Sequence, residues 1–484
     1  MPKKDQATKT PPSGSCWGDN APFALQIEIT SHCNLHCKMC PLTLEQTNSS
    51  VRPGHISDVL WEQLVPLARE VGQVIIAGFG EPLTNSKCLP LLRQLDACSI
   101  RMSITSNGTA LLPRICQELV RLRYLTQINI SIDSPDPQVY REIRGGDVEK
   151  AFKGLQNLLG CIDNPERVSV SSIIMRSTVA SLVDFPRRLA RYGVRKYVLQ
   201  GLLDYNASTF GEEAFVNKDS LASWVDKIRQ NCLQNGIELS FTLPQRLDLE
   251  MRDPGSANRV FYQKGDATEK MARQCHLPWE IPYIDKDGRL FPCCIAAAKG
   301  EGDLGRLQEE SLPAIWNGAN FRRFREDILD GRTTPHVCQH CKAAPLGEHP
   351  FRRYGARIVP AECFLEGVNP LTLVVQNTGT ISWLPENRIR IGTSNPRDHD
   401  ARCAHSSWLT SNRIVSFREA IVLPGAKATF VFEIDPLEEG EREFFQLVAD
   451  GTCWLPNTRF SIAAVPKLRC GDKVEDRNPP TGVH

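Results

Sequence analysis

The sequence lacks any long hydrophobic run. No apolar segment approaches the roughly 18–20 residues that a membrane-spanning helix needs, and the opening MPKKDQATKTPPSGS has no apolar core of a secretory signal. It also lacks an excess of either charge, with 57 Lys and Arg against 56 Asp and Glu in 484 residues. We therefore expect a cytoplasmic protein without a membrane or nucleic-acid partner.

Histidine forms no HxH or HExxH pattern, but cysteine is abundant, at 18 residues. Disulfide-dense proteins are usually small and secreted. Without an export signal, clustered cysteines instead favour metal binding or catalysis. The composition is otherwise globular, and the length predicts about three domains.

Residues 23–245 alternate short apolar runs with stretches of helical periodicity. Strands are predicted at 23–30, 73–80, 101–108, 126–133, 168–175, 196–203 and 237–242. Helices are predicted at 56–71, 86–98, 111–123, 148–160, 181–193 and 219–234. The first six strand–helix units imply an α/β fold with a parallel sheet, arranged as an open partial (β/α)6 barrel.

The pattern changes after the barrel. Residues 246–355 predict a small α+β domain with a hairpin at 282–292, turning at Asp287-Gly288, and a helix over 311–330. Residues 356–466 carry short alternating segments that predict an all-β sandwich. Segments 1–22 and 467–484 are expected to be flexible tails.

Cys33, Cys37 and Cys40 follow the first strand with the spacing Cys-x3-Cys-x2-Cys. In barrel-like α/β folds the chemistry lies at this end of the strands. Three thiolates can hold three irons of a cubane cluster and leave the fourth iron open. A zinc site that uses His32 or His36 as its fourth ligand is the alternative.

This loop resembles that of the radical S-adenosylmethionine (SAM) enzymes, which share the partial barrel. Ala77-Gly78-Phe79-Gly80-Glu81-Pro82 is similar to their Gly-Gly-Glu motif, and polar residues end the third to fifth strands as in many members. The resemblance implies a [4Fe–4S] cluster that binds SAM and cleaves it to a 5′-deoxyadenosyl radical. It implies SAM contacts at Met39, Gly78, Gly80, Glu81, Asn107, Ser131, Asp133 and Ser172.

A second set of cysteines has the spacing Cys-x17-Cys-x44-Cys-x2-Cys, and its members are Cys275, Cys293, Cys338 and Cys341. Four cysteines can hold a complete second [4Fe–4S] cluster or a structural zinc. Their surroundings resemble the SPASM/twitch extension of radical SAM enzymes, which implies an auxiliary cluster. Without further cysteines just after Cys341, the one-cluster twitch form is the better match; Cys294 leaves the second ligand ambiguous.

The last domain resembles an immunoglobulin-like sandwich with an Asn-x-Gly-x3-Trp motif, here Asn377, Gly379 and Trp383. Its tryptophans are expected to form the core. We expect this domain to bind or dock, with a sugar-binding surface as one possibility.

The resemblance implies oxidation or epimerisation of a sugar-like or aminocyclitol carbinol, with a flavodoxin or ferredoxin as electron donor. Modification of a ribosomal peptide is the alternative reaction, although only 22 residues precede the first strand. A zinc-stabilised binding scaffold is the alternative from another class. Arg176 and Asp204, near the ends of the fifth and sixth strands, are the candidates for catalysis.

Overall fold

The computed structural model describes residues 21–43, 53–202, 218–242, 275–330, 338, 341, 349–363, 369–394, 397–438 and 441–463. The chain divides into two compact units, Met1–Arg353 and Tyr354–His484. The predicted tail 467–484, most of the tail 1–22, and the boundary near residue 245 lie outside the described residues.

The first unit is built on a parallel sheet in which each strand pairs with the next along the chain. Buried apolar residues point to both faces of these strands, as a sheet covered by helices requires. The strands are β1 (Leu25–Ile27), β2 (Gln73–Ile76), β3 (Arg101–Ser106), β4 (Leu125–Ser131), β5 (Val168–Ile174), β6 (Lys196–Gly201) and β7 (Glu238–Thr242).

Local signals fix the helices between these strands. The first helix begins after Ser57, whose side chain accepts a hydrogen bond from the Leu60 N–H, and ends at Gly72, where φ is +78°. The helices are α1 (Asp58–Val71), α2 (Cys88–Ala97), α3 (Pro113–Arg121), α4 (Pro137–Arg144), α5 (Val148–Leu159), α6 (Val179–Leu182), α7 (Phe185–Tyr192) and α8 (Lys218–Gln234). The predicted helices correspond to these, except that α4 has no predicted counterpart and the predicted helix at 181–193 is divided into α6 and α7.

Three further strands extend the same sheet: β8 (Tyr283–Ile284), β9 (Arg289–Phe291) and β10 (Gly305–Arg306). β8 pairs with β1 in parallel, while β8–β9 and β9–β10 are antiparallel. The order β10-β9-β8-β1-β2-β3-β4-β5-β6-β7 is linear within the described residues, so this sheet is an open partial barrel. The predicted hairpin at 282–292 is therefore joined to the barrel's sheet rather than to a sheet of its own.

Short helices surround these added strands. The predicted helix over 311–330 is two helices, separated by Asn317 and Gly318, and a Cβ at Gly318 would lie 2.7 Å from the Ala314 carbonyl oxygen. The helices are α9 (Leu277–Glu280), α10 (Cys294–Lys299), α11 (Leu312–Trp316), α12 (Ala319–Asp330) and α13 (Pro350–Arg353). Within the described residues, no helix combines the length and the apolar character that crossing a membrane would require.

The second unit contains two antiparallel sheets, β11-β12-β15 and β14-β13-β16-β17, with β18 paired to β16. Trp383 is fully buried, and Asn377 Nδ2 donates to the carbonyls of Ile381 and Val422. These contacts explain the Asn-x-Gly-x3-Trp spacing as a closed turn; membership of the immunoglobulin-like family stays a prediction. The strands are β11 (Ala356–Ile358), β12 (Leu371–Asn377), β13 (Ile389–Thr393), β14 (Arg413–Ser416), β15 (Lys427–Phe432), β16 (Arg442–Ala449), β17 (Cys453–Trp454) and β18 (Phe460–Ala463).

Candidate functional site

The first three cysteines lie on a loop at the carboxyl edge of the parallel sheet. β1 ends at Ile27, and Cys33, Cys37 and Cys40 follow, each half-buried. The carboxyl ends of β2, β3 and β4 reach the same edge, because neighbouring parallel strands run in one direction. Side chains from several strands therefore converge on this loop.

Glu81 joins the ends of β2 and β3. Its buried carboxylate accepts hydrogen bonds from the backbone N–H groups of Leu83 (3.2 Å) and Asn107 (2.6 Å) and from the hydroxyl of Ser106 (2.8 Å). Burial raises the pKa of Glu81, and these hydrogen bonds oppose the rise. A carboxylate has about four lone-pair sites, so Glu81 can accept one further donor, such as a ligand's ammonium group.

Asn107 connects this edge to the cysteine loop. Its Nδ2 lies 3.9 Å from Cys33 Sγ and donates to Asn34 Oδ1 at 2.8 Å. Its Oδ1 accepts from the backbone N–H and the hydroxyl of Thr109. The amide is thus held with its donor group toward a cysteine sulfur, the orientation that a thiolate requires.

Gly78 and Gly80 permit close packing against the chain between β1 and the cysteine loop. A Cβ at Gly78 would lie 2.5 Å from Glu28 Cγ, and one at Gly80 would lie 2.3 Å from the Thr30 carbonyl oxygen. This approach accounts for both glycines in the structure, and their contact with SAM stays a prediction.

The end of α4 supports the cysteine loop from the other side. The backbone N–H of His36 donates to the Arg144 carbonyl at 3.1 Å, and that of Lys38 donates to the Ile143 carbonyl at 2.9 Å. Gly145, with φ +67°, ends the helix and turns the chain away beside His36. Two backbone hydrogen bonds therefore fix the loop around Cys37.

Arg144 also forms a buried ion pair. Its Nε donates to Asp133 Oδ2 at 2.6 Å, and Asp133 Oδ1 accepts the backbone N–H of Ile173 at 2.8 Å. Asp133 is fully buried and holds Arg144 and β5 together. In the structure this carboxylate has a supporting role, and its contact with the SAM ribose stays a prediction.

The thiols of the loop are weak acids in the protein alone. Burial raises the pKa of Cys33, Cys37 and Cys40, the last to about 12, and the positive charge of Arg144 opposes the rise at each of them. Because iron binds the thiolate, Arg144 favours the form of these cysteines that a cluster requires.

One hydroxyl near the loop has no hydrogen-bond partner among the described residues. It belongs to Tyr140, a fully buried residue one turn before Arg144 on α4. The charges of Arg144, Asp133, Cys37 and Glu81 act on this hydroxyl. A buried donor without a partner costs about 1–3 kcal/mol. Three cysteines, the Asn107 amide and this hydroxyl fit a cluster that needs thiolate ligands and donors to sulfur.

The predicted serines make contacts within the protein. Ser131 Oγ lies 3.4 Å from Ser171 Oγ, between the ends of β4 and β5. The Ser172 hydroxyl donates to the Ile132 carbonyl and is buried. These bonds connect neighbouring strands, and SAM contacts at Ser131 and Ser172 stay predictions.

Of the remaining predicted residues, Met39 lies on the cysteine loop, where it is buried in a small apolar cluster with Ile143 and Met175 against which Cys37 packs. Its contact with SAM stays a prediction. Arg176 is exposed beyond the end of β5, and the structure gives it no contact with the cysteine loop. Asp204 lies outside the described residues.

The second set of cysteines gathers around the start of α10. Cys293 caps this helix, and its Sγ accepts the Ala296 N–H at 3.4 Å. Burial raises the pKa of Cys293, and the nearby thiols of Cys294, Cys275 and Cys338 add to the rise. The structure thus brings distant parts of the chain to Cys293. Cys341 is near as well, since its N–H donates to the Cys338 carbonyl and its charge acts on Cys294.

The arrangement of these thiols bears on which metal group they suit. Among the described residues, no three Cys, His, Asp or Glu side chains surround one point as ligands of a single ion would. A cubane cluster does not require this, since each cysteine binds a different iron. The geometry is therefore compatible with clusters at both sites.

Two charged residues at this edge are not assigned by the sequence motifs. Glu28 stands in an otherwise apolar strand segment, and Arg144 stands between an apolar residue and Gly145 at a helix end. For Glu28, a charged side chain in a buried segment is the only sequence signal, because charged residues are seldom buried without a partner. Arg144 also belongs to Ile143-Arg144-Gly145, which follows the fourth strand in the resemblance to radical SAM enzymes but gave Arg144 no role of its own.

Comparison with known proteins identifies two domains. The family model described as the radical SAM superfamily matches residues 27–200, and that of SPASM, an iron–sulfur cluster-binding domain, matches residues 275–342. The chain therefore carries both domains, as its motifs predict. They imply a [4Fe–4S] cluster with SAM and an auxiliary iron–sulfur cluster.

Individual relatives are distant. The AdoMet-dependent heme synthase of Methanosarcina barkeri is 22% identical over 335 residues, covering 67% of this chain and 92% of that protein. The mycofactocin maturase MftC of Mycobacterium tuberculosis is 30% identical over 179 residues, covering 36% and 44%. The structure of Streptococcus suis SuiB bound to precursor peptide SuiA aligns with TM-score 0.49 and 13% identity, covering 62% and 65%.

Proposed function

We propose that this protein cleaves SAM reductively to a 5′-deoxyadenosyl radical, which removes a hydrogen atom from a substrate C–H bond. The substrate class that we propose is a sugar-like or aminocyclitol carbinol, which is oxidised or epimerised. One observation carries the proposal: β8 pairs in parallel with β1, with Gln26 opposite Tyr283. The cysteine loop after β1 and the cysteines around α10 thereby border the same part of the sheet.

Two sets of cysteines in this chain would hold the two clusters. Cys33, Cys37 and Cys40 would hold the SAM-binding cluster; the auxiliary cluster would be held by Cys275, Cys293, Cys338 and Cys341. When bound, the first supplies an electron for SAM cleavage and the second an electron acceptor.

Side chains of this chain orient the ligands. Glu81 accepts a hydrogen bond from the ammonium group of SAM at its remaining lone-pair site. Asn107 Nδ2 donates a hydrogen bond to the Cys33 sulfur. Arg144 offsets the negative charge of three thiolates.

Peptide modification is the second candidate. The 30% identity to mycofactocin maturase over 179 residues favours it, since a maturase acts on a precursor. Both reactions begin with the same hydrogen abstraction. A flavodoxin or ferredoxin is the proposed electron donor in either case.

Anaerobic reconstitution with iron and sulfide tests the proposal. We expect about eight irons per chain and conversion of SAM to 5′-deoxyadenosine under a reductant. Replacing Cys33, Cys37 and Cys40 together by Ala should leave about four irons and abolish cleavage. Zinc in place of iron, with no cleavage of SAM, would establish the binding scaffold instead.

The substrate class is tested by isotope transfer. Cyclitols and amino sugars deuterated at carbon should pass deuterium into 5′-deoxyadenosine if the carbinol proposal is right. Transfer from deuterated peptides, with none from the sugars, would favour the second candidate.

A further inference from the structure

A buried carboxylate, Glu28, lies between β1 and the cysteine loop. It is 2% exposed. The backbone N–H of Phe79 and the hydroxyl of Tyr283 both donate to Oε2, at 3.0 and 2.7 Å. No hydrogen bond from the described residues reaches the other oxygen, Oε1.

A small cavity adjoins this carboxylate, with room for about one water molecule. Most of the lining residues carry a polar group, and a bound water needs two to four polar partners. The lining residues include Glu28, Phe79, Tyr283, Asp285, Lys286 and Ala297. Glu28 is the least exposed carboxylate of this wall, so the cavity gives its Oε1 a route to a water molecule.

The cavity lies between the two cysteine sets. On one side, the Phe79 carbonyl lies 3.9 Å from Cys40 Sγ. On the other side, Ala297 is one helical turn after Cys293 on α10, and the charge of Cys294 acts on the Tyr283 hydroxyl. The two groups that donate to Glu28, on Phe79 and Tyr283, thus lie next to different cysteine sets.

The charged residues near Glu28 form ion pairs with one another. Asp285 bonds Arg289 at 2.7 Å, and Lys286 bonds Asp287 at 2.6 Å. Among the described residues no cation forms an ion pair with Glu28. Burial raises the pKa of Glu28 to about 7; Asp285 adds to the rise, while the Phe79 and Tyr283 hydrogen bonds and Lys286 oppose it.

We propose that Glu28 is the proton acceptor when the carbinol is oxidised, reached through a water molecule that this cavity has room to bind. The assignment rests on the proposed function and supplies the base that it requires. Hydrogen abstraction leaves a radical on the carbinol carbon, which then gives up one electron and the hydroxyl proton as C–O becomes C=O. The proton goes to Glu28 Oε1, and the auxiliary cluster is the electron acceptor.

A purely structural role of Glu28 would not require a group that takes up a proton. If Glu28 only fixed Phe79 and Tyr283, a glutamine would serve, since its amide oxygen can accept from the Phe79 N–H and its amide group can pair with the phenol. Glu28→Gln keeps the shape and removes the titrating group. The variant therefore separates proton uptake from packing.

The test needs no substrate. In the reconstituted holoenzyme, the reduction potential of the auxiliary cluster is followed by EPR from pH 6 to 8.5, with SAM present to distinguish the SAM-binding cluster. An electron added beside Glu28 favours its protonated form, so we expect the wild-type potential to fall as the pH rises through 7. In Glu28→Gln the potential should not change with pH.

Two further variants keep the test decisive if Glu28→Gln does not fold. Tyr283→Phe removes a hydrogen bond that favours the ionised carboxylate, so the pH dependence should move to higher pH. Asp163→Asn changes an exposed carboxylate that does not line this cavity and should keep the wild-type dependence.

The outcomes separate this assignment from the proposed function. The same pH dependence in wild type and Glu28→Gln, a pH-independent wild-type potential, or an unmoved midpoint in Tyr283→Phe would each overturn it. A wild-type holoenzyme that binds both clusters but forms no 5′-deoxyadenosine would overturn the proposed function alone, because the potentials are still measurable.

Discussion

Arg144 and Asp133 form a buried ion pair, with Nε 2.6 Å from Oδ2, that joins the end of α4 to the end of β4. The carbonyl of the same arginine accepts the His36 N–H from the cysteine loop. One residue thus connects the loop to two strands and places a positive charge beside three thiols. This connection leads to the first prediction.

Arg144→Gln should lower both stability and the iron content of the first site. It leaves Asp133 buried without its partner, which costs about 3–5 kcal/mol, and removes the charge that favours thiolates. Urea denaturation and iron analysis of the reconstituted protein check this. Arg114→Gln, at an arginine that is 88% exposed, is the matched control and should change neither quantity. Full iron content in Arg144→Gln would contradict the prediction.

Tyr140→Phe should stabilise the metal-free protein and lower the reduction potential of the first cluster in the loaded protein. In the metal-free form it removes a buried hydroxyl without a partner and should stabilise the fold by about 1 kcal/mol. In the loaded form it removes a donor to the cluster, so the first cluster's reduction potential should fall. Denaturation of both forms and EPR titration measure the two effects. An equal stabilisation of both forms, with an unchanged potential, would show that the hydroxyl has no partner in either.

Glu81→Gln should weaken SAM binding by tenfold or more, a loss of about 1.4 kcal/mol. The NH2 group of glutamine cannot accept a hydrogen bond. It would replace an oxygen that accepts from either the Ser106 hydroxyl or the Asn107 N–H, so two hydrogen-bond donors would face each other. Equilibrium dialysis of SAM against the reconstituted enzyme measures the affinity. Glu62→Gln, on the exposed side of α1, should bind SAM as the wild type does. Equal affinities would place the ammonium group elsewhere.

The stability of the metal-free chain should depend on pH through Glu28. Its pKa is raised from 4.5 to about 7, mainly by burial, so the folded chain binds this proton more tightly than the unfolded chain. The resulting stabilisation is present below pH 4.5 and is lost as the pH rises to 7, a change of about 3 kcal/mol. Unfolding free energies at pH 5, 6, 7 and 8 should therefore decrease more steeply for wild type than for Glu28→Gln. Parallel curves would mean that Glu28 stays ionised throughout.

Trp383→Ala should destabilise the second unit by about 3–5 kcal/mol, because this side chain is fully buried. The cysteines of both sets lie in the first unit, so iron content should not change. Thermal unfolding followed by calorimetry, with iron analysis, checks both statements. Loss of iron in this variant would show that the second unit supports the clusters.

The sequence and the structure agree where the signal is local. The predicted strands at 73–80, 101–108 and 168–175 correspond to β2, β3 and β5, because apolar runs between helical stretches define buried parallel strands. α4 was not predictable in this way, since its eight residues carry only a short apolar pattern. Its caps, Asp136 and Gly145, are the signal that could have found it.

The functional residues divide in the same manner. The first cysteine set was found from spacing, because ligands from one short loop must be close in sequence. The second set spans residues 275–341 and was found from its spacing together with its resemblance to the SPASM/twitch extension. Glu28 carries no spacing signal, and the motif that contains Arg144 does not indicate its partners. Their surroundings come from Tyr283, Phe79 and Asp133, which lie up to 255 residues away along the chain.

The sequence by itself determined that this protein carries a three-cysteine loop after a buried strand and a second cysteine set further along, and hence radical SAM and SPASM domains. Only the tertiary structure decided that β8 joins β1 and that Glu28 and Arg144 are buried among particular partners. The physical reason is that burial and ion pairing depend on which distant segments meet. The chemistry of a set of metal ligands depends on residue type and on spacing along the chain, and both can be read from the sequence.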